Sequence, residues 1–114
     1  MAFRISLTTE AESQFEALSA RQQRLLETAI HACLLHKPGT PTKAIKKLRP
    51  NPLAEFELRA GDLRVLYNIE GNEVVILIVG VKKGNALIVK GKVFYGHQDD
   101  STKPSEGESE GNTR

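Results

Sequence analysis

The stretch Phe56 to Ile69, FELRAGDLRVLYNI, sets two arginines on either side of a Gly-Asp pair, among apolar residues that recur at every second position. A two-residue turn at Gly61-Asp62 predicts a β-hairpin in which Arg59 lies opposite Arg64. The same register sets Leu58 opposite Val65 and Phe56 opposite Tyr67 on the other face. One face is then cationic and the other apolar. Like charges directly opposite each other in a sheet repel, at a cost of roughly a few tenths of a kcal/mol. Something negative should compensate. Glu57, two residues along the same strand and on the same face, is one candidate. The other is a phosphate group, whose oxygens match the fork of a guanidinium.

Other residues with chemical potential are fewer. KAIKKLR, Lys43 to Arg49, holds four bases: Lys43, Lys46, Lys47 and Arg49. They form either a solvated loop or a rim for phosphates, and in the second case affinity would fall steeply with salt. His31 and His36 lie five residues apart on or near one helix, a spacing that does not aim both at one metal. Surface or capping roles suit them. His97, just after Tyr95, would serve as acid or base only if the extended segment folds over the cationic face. Cys33 and Tyr67 fall on apolar stripes and read as core. Nothing in the sequence calls for a metal or a cofactor.

The elements that must position these residues follow from periodicity. The chain of 114 residues, 39% of them hydrophobic, suits one domain with a modest core. FRISL alternates and predicts a first strand. Thr9 with Glu12 offers a capping box, followed by an apolar stripe of Ala11, Phe15 and Leu18. Ser19 with Gln22 offers a second box, followed by Leu25, Leu26, Ala29, Ile30, Cys33 and Leu34. Pro38 and Gly39 end that helix. After the prolines of RPNP the period changes to two: EFELRA and LRVLYNI alternate, VVILIVGV is apolar throughout as in a central strand, and ALIVKGKVFYG extends. The expected fold is α+β: an N-terminal strand, then a helical hairpin packed on one face of a small, mainly antiparallel sheet of about four strands. The other face, which carries Arg59 and Arg64, is expected to be open.

Residues 98–114 differ in kind. They hold five acids and two bases, net −3, and no large apolar residue, which leaves +5 on residues 1–97. The expected organisation is a domain over 1–97 and a disordered acidic tail over 98–114. A single cysteine, no apolar run of about 20 residues and no apolar leader fit a cytoplasmic protein away from membranes.

The ordered set AIKKLRP, FELRAGDLRVLYNIEGNEVVILIVGVKK, with the helical hairpin before it, resembles the RelE/ParE superfamily of type II toxin–antitoxin toxins over roughly residues 3–85. The resemblance implies a cognate antitoxin protein as partner and, for members similar to RelE, metal-independent cleavage of messenger RNA on the ribosome. By that resemblance Arg64 and Lys82 are the catalytic cations, and Arg59, Lys46, Lys47 and Lys83 contact RNA. Glu57, Tyr95 and His97 are the acid or base candidates. The sequence departs from RelE at two points. Glu55 and Glu57 stand where RelE has two lysines, and Ile88 stands near its late tyrosine. The alternatives are a ParE-like inhibitor of DNA gyrase, or a toxin-fold binding module that has lost catalysis.

Overall fold

The computed structural model describes residues 2–95. The chain enters as β1 (Arg4–Leu7) and continues into α1 (Thr9–Glu16) and α2 (Ala20–Leu34). Hydroxyls start both helices. Thr8 Oγ1 accepts the Ala11 N–H, so the cap lies one residue before the expected Thr9, which is already helical. Ser19 and Gln22 form the full reciprocal box at α2. Ala11, Leu26, Ile30 and Leu34 are buried, with Phe15, Leu18, Ala29 and Cys33 packed beside them. Leu25, expected in the same stripe, is 51% exposed. One residue is a rotation of about 100°, enough to turn it off the buried face.

Six further strands follow: β2 (Ile45–Lys47), β3 (Phe56–Ala60), β4 (Leu63–Glu70), β5 (Glu73–Lys83), β6 (Ala86–Val89) and β7 (Lys92–Tyr95). They form one sheet in the order β2-β3-β4-β5-β6-β7, with β1 added parallel to β5, seven strands in all. The expectation of about four strands is too small for two local reasons. The basic segment KAIKKLR pairs with β3 as a short edge strand. ALIVKGKVFYG is cut in two by a turn at Lys90 and Gly91, both at positive φ (53° and 80°) as a type I′ hairpin requires.

The continuous apolar run of β5 comes from a bulge. Leu66 pairs with Ile78 but Tyr67 pairs with Ile76, so Leu77 is an extra residue. Val74 and Ile76 face the helices before it, and Val79 and Val81 after it. The bulge therefore shifts the alternation by one residue. Along its second edge β5 pairs with β1 over Glu73–Ile76 and with β6 over Val81–Lys83. Between the two, the Val79 N–H is taken by Gln14 Oε1 at 2.8 Å, which ties α1 to the sheet.

The main core lies between the helices and the sheet. Tyr67 is fully buried there, stacked on Phe56 with ring centroids 5.5 Å apart. The opposite face is not bare, contrary to expectation. Ala54, Leu66, Ile78 and Leu87 are buried on it, with Leu48, Leu77 and Val89 packed beside them. The irregular segment after β2 folds back: Asn51 Oδ1 accepts the N–H groups of Leu53 and Ala54, and its amide donates to the Ala54 carbonyl. That loop covers part of the face. Among the described residues no helix is long and apolar enough to cross a membrane.

Candidate phosphate-binding corner

The hairpin has the register its sequence predicts. Arg59 pairs with Arg64, Leu58 with Val65 and Phe56 with Tyr67. Residues directly paired share a face, so two rows cross the sheet on the side away from the helices. One runs Lys46, Glu57, Leu66, Ile78, and the next runs Arg59, Arg64, Gly80. Lys82, two residues beyond Gly80, lies on the same face, and its N–H donates to the Asp62 carbonyl of the hairpin turn. One corner thus gathers Arg59, Arg64 and Lys82 around the Gly61-Asp62 turn.

The two arginines have different partners. Arg59 Nε donates to Glu57 Oε1 at 3.1 Å, and Glu57 is 4% exposed. This carboxylate is deeply buried for a glutamate, and the guanidinium beside it offsets the cost of desolvating it. Arg64 folds back on its own turn. Its Nη1 donates to the carbonyls of Gly61 (2.7 Å) and Leu63 (2.9 Å). Its Nε is buried and meets no acceptor. Among the described residues the only salt bridge is Arg59 with Glu57, so Arg64, Lys82 and Lys46 have no carboxylate against them. The hairpin repulsion is therefore relieved at one arginine, and the other remains a preorganised donor held by backbone carbonyls.

Not every residue read from the sequence joins this corner. Lys47 pairs with Phe56 and lies over that ring, Nζ 5.0 Å from its centroid, on the helix side of the sheet. Lys83 also faces the helix side, lining a cleft of about 410 Å³ with Gln14, Gln22 and Lys90. Neither shares the face of Arg64. Glu55 is exposed, its Oε1 accepting the Ile69 N–H at 3.5 Å. His31 and His36 are exposed. Tyr95 is the last residue of β7. His97 and the 98–114 tail lie outside the described residues. Burial, then the neighbouring Cys33, pushes the Tyr67 hydroxyl well above its ordinary range, and it donates to the Pro38 carbonyl at 2.6 Å. Tyr67 is a core hydrogen-bond donor, as its stripe position predicts.

Gly80 lies inside β5, which runs on to Lys83. It sits opposite Arg64, and a Cβ there would meet the Ile88 carbonyl oxygen at 2.6 Å. Only glycine lets β6 approach and bring Leu87 under Lys82. A lone glycine inside an apolar strand signals such a close approach.

No protein-family model matches the sequence, and no curated protein matches it. Solved structures do. The RelBE2 toxin–antitoxin complex of Mycobacterium tuberculosis contains a chain 26% identical to this one, covering 72% of this chain and 100% of that chain, with a TM-score of 0.62. A chain of the archaeal RelE–RelB complex from Pyrococcus horikoshii is 20% identical, covers 75% of this chain and 100% of that one, and scores 0.54, a likeness of fold. By these matches the chain has the fold of chains from RelE–RelB toxin–antitoxin complexes.

Proposed function

We propose that this chain is the toxin of a type II toxin–antitoxin pair and that it cleaves messenger RNA on the ribosome. The observation that carries the reading is that Arg64 and Lys82, at one corner of the sheet, have no carboxylate partner among the described residues, while Glu57 holds Arg59. Cleavage needs the ribose 2′-oxygen to attack the adjacent phosphorus and the bond to the 5′-oxygen to break. Charge accumulates on the phosphoryl oxygens between those events. Two cations fixed beforehand stabilise that charge without reorganisation. Arg64 suits this role because backbone carbonyls hold its guanidinium rigid. Lys82 supplies the second charge, and Arg59 and Lys46 extend the strip along which RNA would run. A base must take the 2′ proton and an acid must protonate the 5′-oxygen. Glu57 is the base candidate on the same face, and Tyr95 and His97 are the acid candidates near the end of β7. Lys47 and Lys83, on the other side of the sheet, suit contacts with ribosomal RNA or the partner rather than with the scissile phosphate.

The partner reading rests on the relatives: both similar chains come from complexes with an antitoxin. A cognate antitoxin covering the corner would hold this chain inactive. A second reading, gyrase inhibition of the ParE kind, draws on one feature, Ile88 in place of a proton-transferring tyrosine. Inducing this chain alone and mapping messenger-RNA ends and DNA breaks in the same cells separates the two. New RNA ends without DNA breaks support the proposal. DNA breaks without new RNA ends overturn it in favour of gyrase.

A further inference from the structure

A second cationic feature lies on the helix side of the sheet, where α1, the start of α2, β5 and β6 line the cleft of about 410 Å³. Its polar side chains are left as donors. Gln14 Oε1 is taken by the Val79 N–H at 2.8 Å, and Gln22 Oε1 by the Ser19 N–H at 3.0 Å. A backbone N–H can only donate, so the oxygen of each carboxamide is committed and its NH2 group is left to donate. Neither NH2 meets an acceptor among the described residues. Lys83 and Lys90 add two ammonium groups, and no described residue lining the cleft is a carboxylate. Neither lysine is in a salt bridge among the described residues.

The two lysines stand at opposite ends. Lys83 pairs with Ala86 and Val81 with Ile88, so Lys90, two residues past Ile88, comes level with Val79. Four strand residues separate the two levels, about 13 Å. Val81 and Ile88 lie between them, and with Leu18 they give the cleft a half-buried apolar lining. Lys90 has a φ of 53°, uncommon for a lysine, and its Nζ donates to Ser13 Oγ at 2.9 Å, which ties the β6–β7 turn to α1.

We propose that this cleft docks an extended acidic segment of a partner protein, with two carboxylates flanking an aliphatic side chain. In an extended chain residues i and i+4 are also about 13 Å apart and share a face with residue i+2. One carboxylate then meets Lys83, the other meets Lys90, and the aliphatic side chain between them covers Leu18, Val81 and Ile88. The two carboxamides donate to carbonyls of the segment, which an extended chain leaves free and a helix does not. Phosphates would suit the lysines equally, but RNA is the poorer occupant. No described aromatic side chain lines the cleft to stack a base. The cleft is on the other side of the sheet from Arg64, so its role is independent of phosphate chemistry at the corner.

The test titrates the full chain with an acetylated, amidated pentapeptide that has glutamate first and last, leucine at the centre and serine between. Backbone amide spectra of the protein report where it binds. The proposal expects shifts at Gln14, Gln22, Val79, Val81 and Ile88, and none at the Gly61-Asp62 turn. Lys83→Gln and Lys90→Asn should each weaken binding about two- to fivefold. Asparagine is chosen at Lys90 because it tolerates a left-handed backbone. A peptide with glutamine for both glutamates should lose about the product of the two effects, roughly four- to 25-fold. Absent shifts, or shifts at the turn instead, overturn the proposal. A glutamine peptide that binds as well as the acidic one overturns it too. Shifts at the cleft amides with single-stranded RNA, and none with the peptide, overturn it in favour of nucleic acid.

Discussion

Glu57 controls how much positive charge the hairpin face presents, and changing it should alter nucleic-acid binding by a calculable amount. In the folded chain its carboxylate holds Arg59 Nε at 3.1 Å and offsets the charge that Arg59 presents to a phosphate. Glu57→Gln keeps the volume and an acceptor for Arg59 but releases the charge. Glu57→Lys releases Arg59 and adds a cation next to Lys46, its cross-strand partner. Each added phosphate contact on a single strand steepens log K against log[salt] by about 0.7. The expected increments are therefore about 0.7 for Gln and about 1.4 for Lys. At 0.1 M salt, relative to a 1 M reference, these correspond to about fivefold and about 25-fold tighter binding. Fluorescence anisotropy of a labelled single-stranded RNA, from about 50 to about 200 mM salt, reads both slope and affinity. A position only 4% exposed resists a lysine, so melting curves accompany the binding data and the Gln variant preserves the test if the Lys variant unfolds. Two folded variants with unchanged slopes would show that nucleic acid does not lie on this face.

Three further outcomes test the fold that holds the corner. Gly80→Ala forces a methyl against the Ile88 carbonyl and should cost about 1–3 kcal/mol in thermal unfolding while loosening β6 from Lys82. Tyr67→Phe leaves the Pro38 carbonyl without its donor and should cost about 1–3 kcal/mol. Because the Tyr67 hydroxyl is held above its ordinary value, the unfolded chain ionises first as pH rises past about 10, and stability falls by up to about 1.4 kcal/mol per pH unit. The Phe variant should show a shallower alkaline limb, and an unchanged limb would mean Tyr67 contributes nothing to it. Ser19→Ala opens the capping box of α2 and should cost about 1 kcal/mol without changing RNA binding.

The hairpin was readable because a Gly-Asp turn leaves one register that buries Phe56, Leu58, Val65 and Tyr67 together. The helices were readable from their stripes and from Ser19 with Gln22. Thr8 and Thr9 are chemically alike, so choosing the cap required the backbone: Thr8 is extended at ψ 164°. The two extra strands left weak local signals. Ile45–Lys47 is short and basic, and its strand character comes from pairing with β3. Lys90 adopts a left-handed conformation that its residue type does not advertise. At the corner, the side of each lysine was set by strand parity. Lys46 and Lys82 share the face of Arg64, whereas Lys47 and Lys83, one residue along, do not. The choice of Glu57 for Arg59 over Arg64 depends on Arg64 having closer acceptors, the carbonyls of its own turn.

The central claim is that Arg64 and Lys82 act on a scissile phosphate. Its most direct test is single-turnover cleavage of messenger RNA on programmed ribosomes by the parent chain and by Arg64→Ala, with melting curves to show that the variant is folded. Losing one preorganised charge donor at a phosphorane-like transition state should slow cleavage by about 10² to 10³-fold. A folded Arg64→Ala protein that cuts as fast as the parent, or a parent that leaves ribosome-bound messenger RNA intact, would contradict the account.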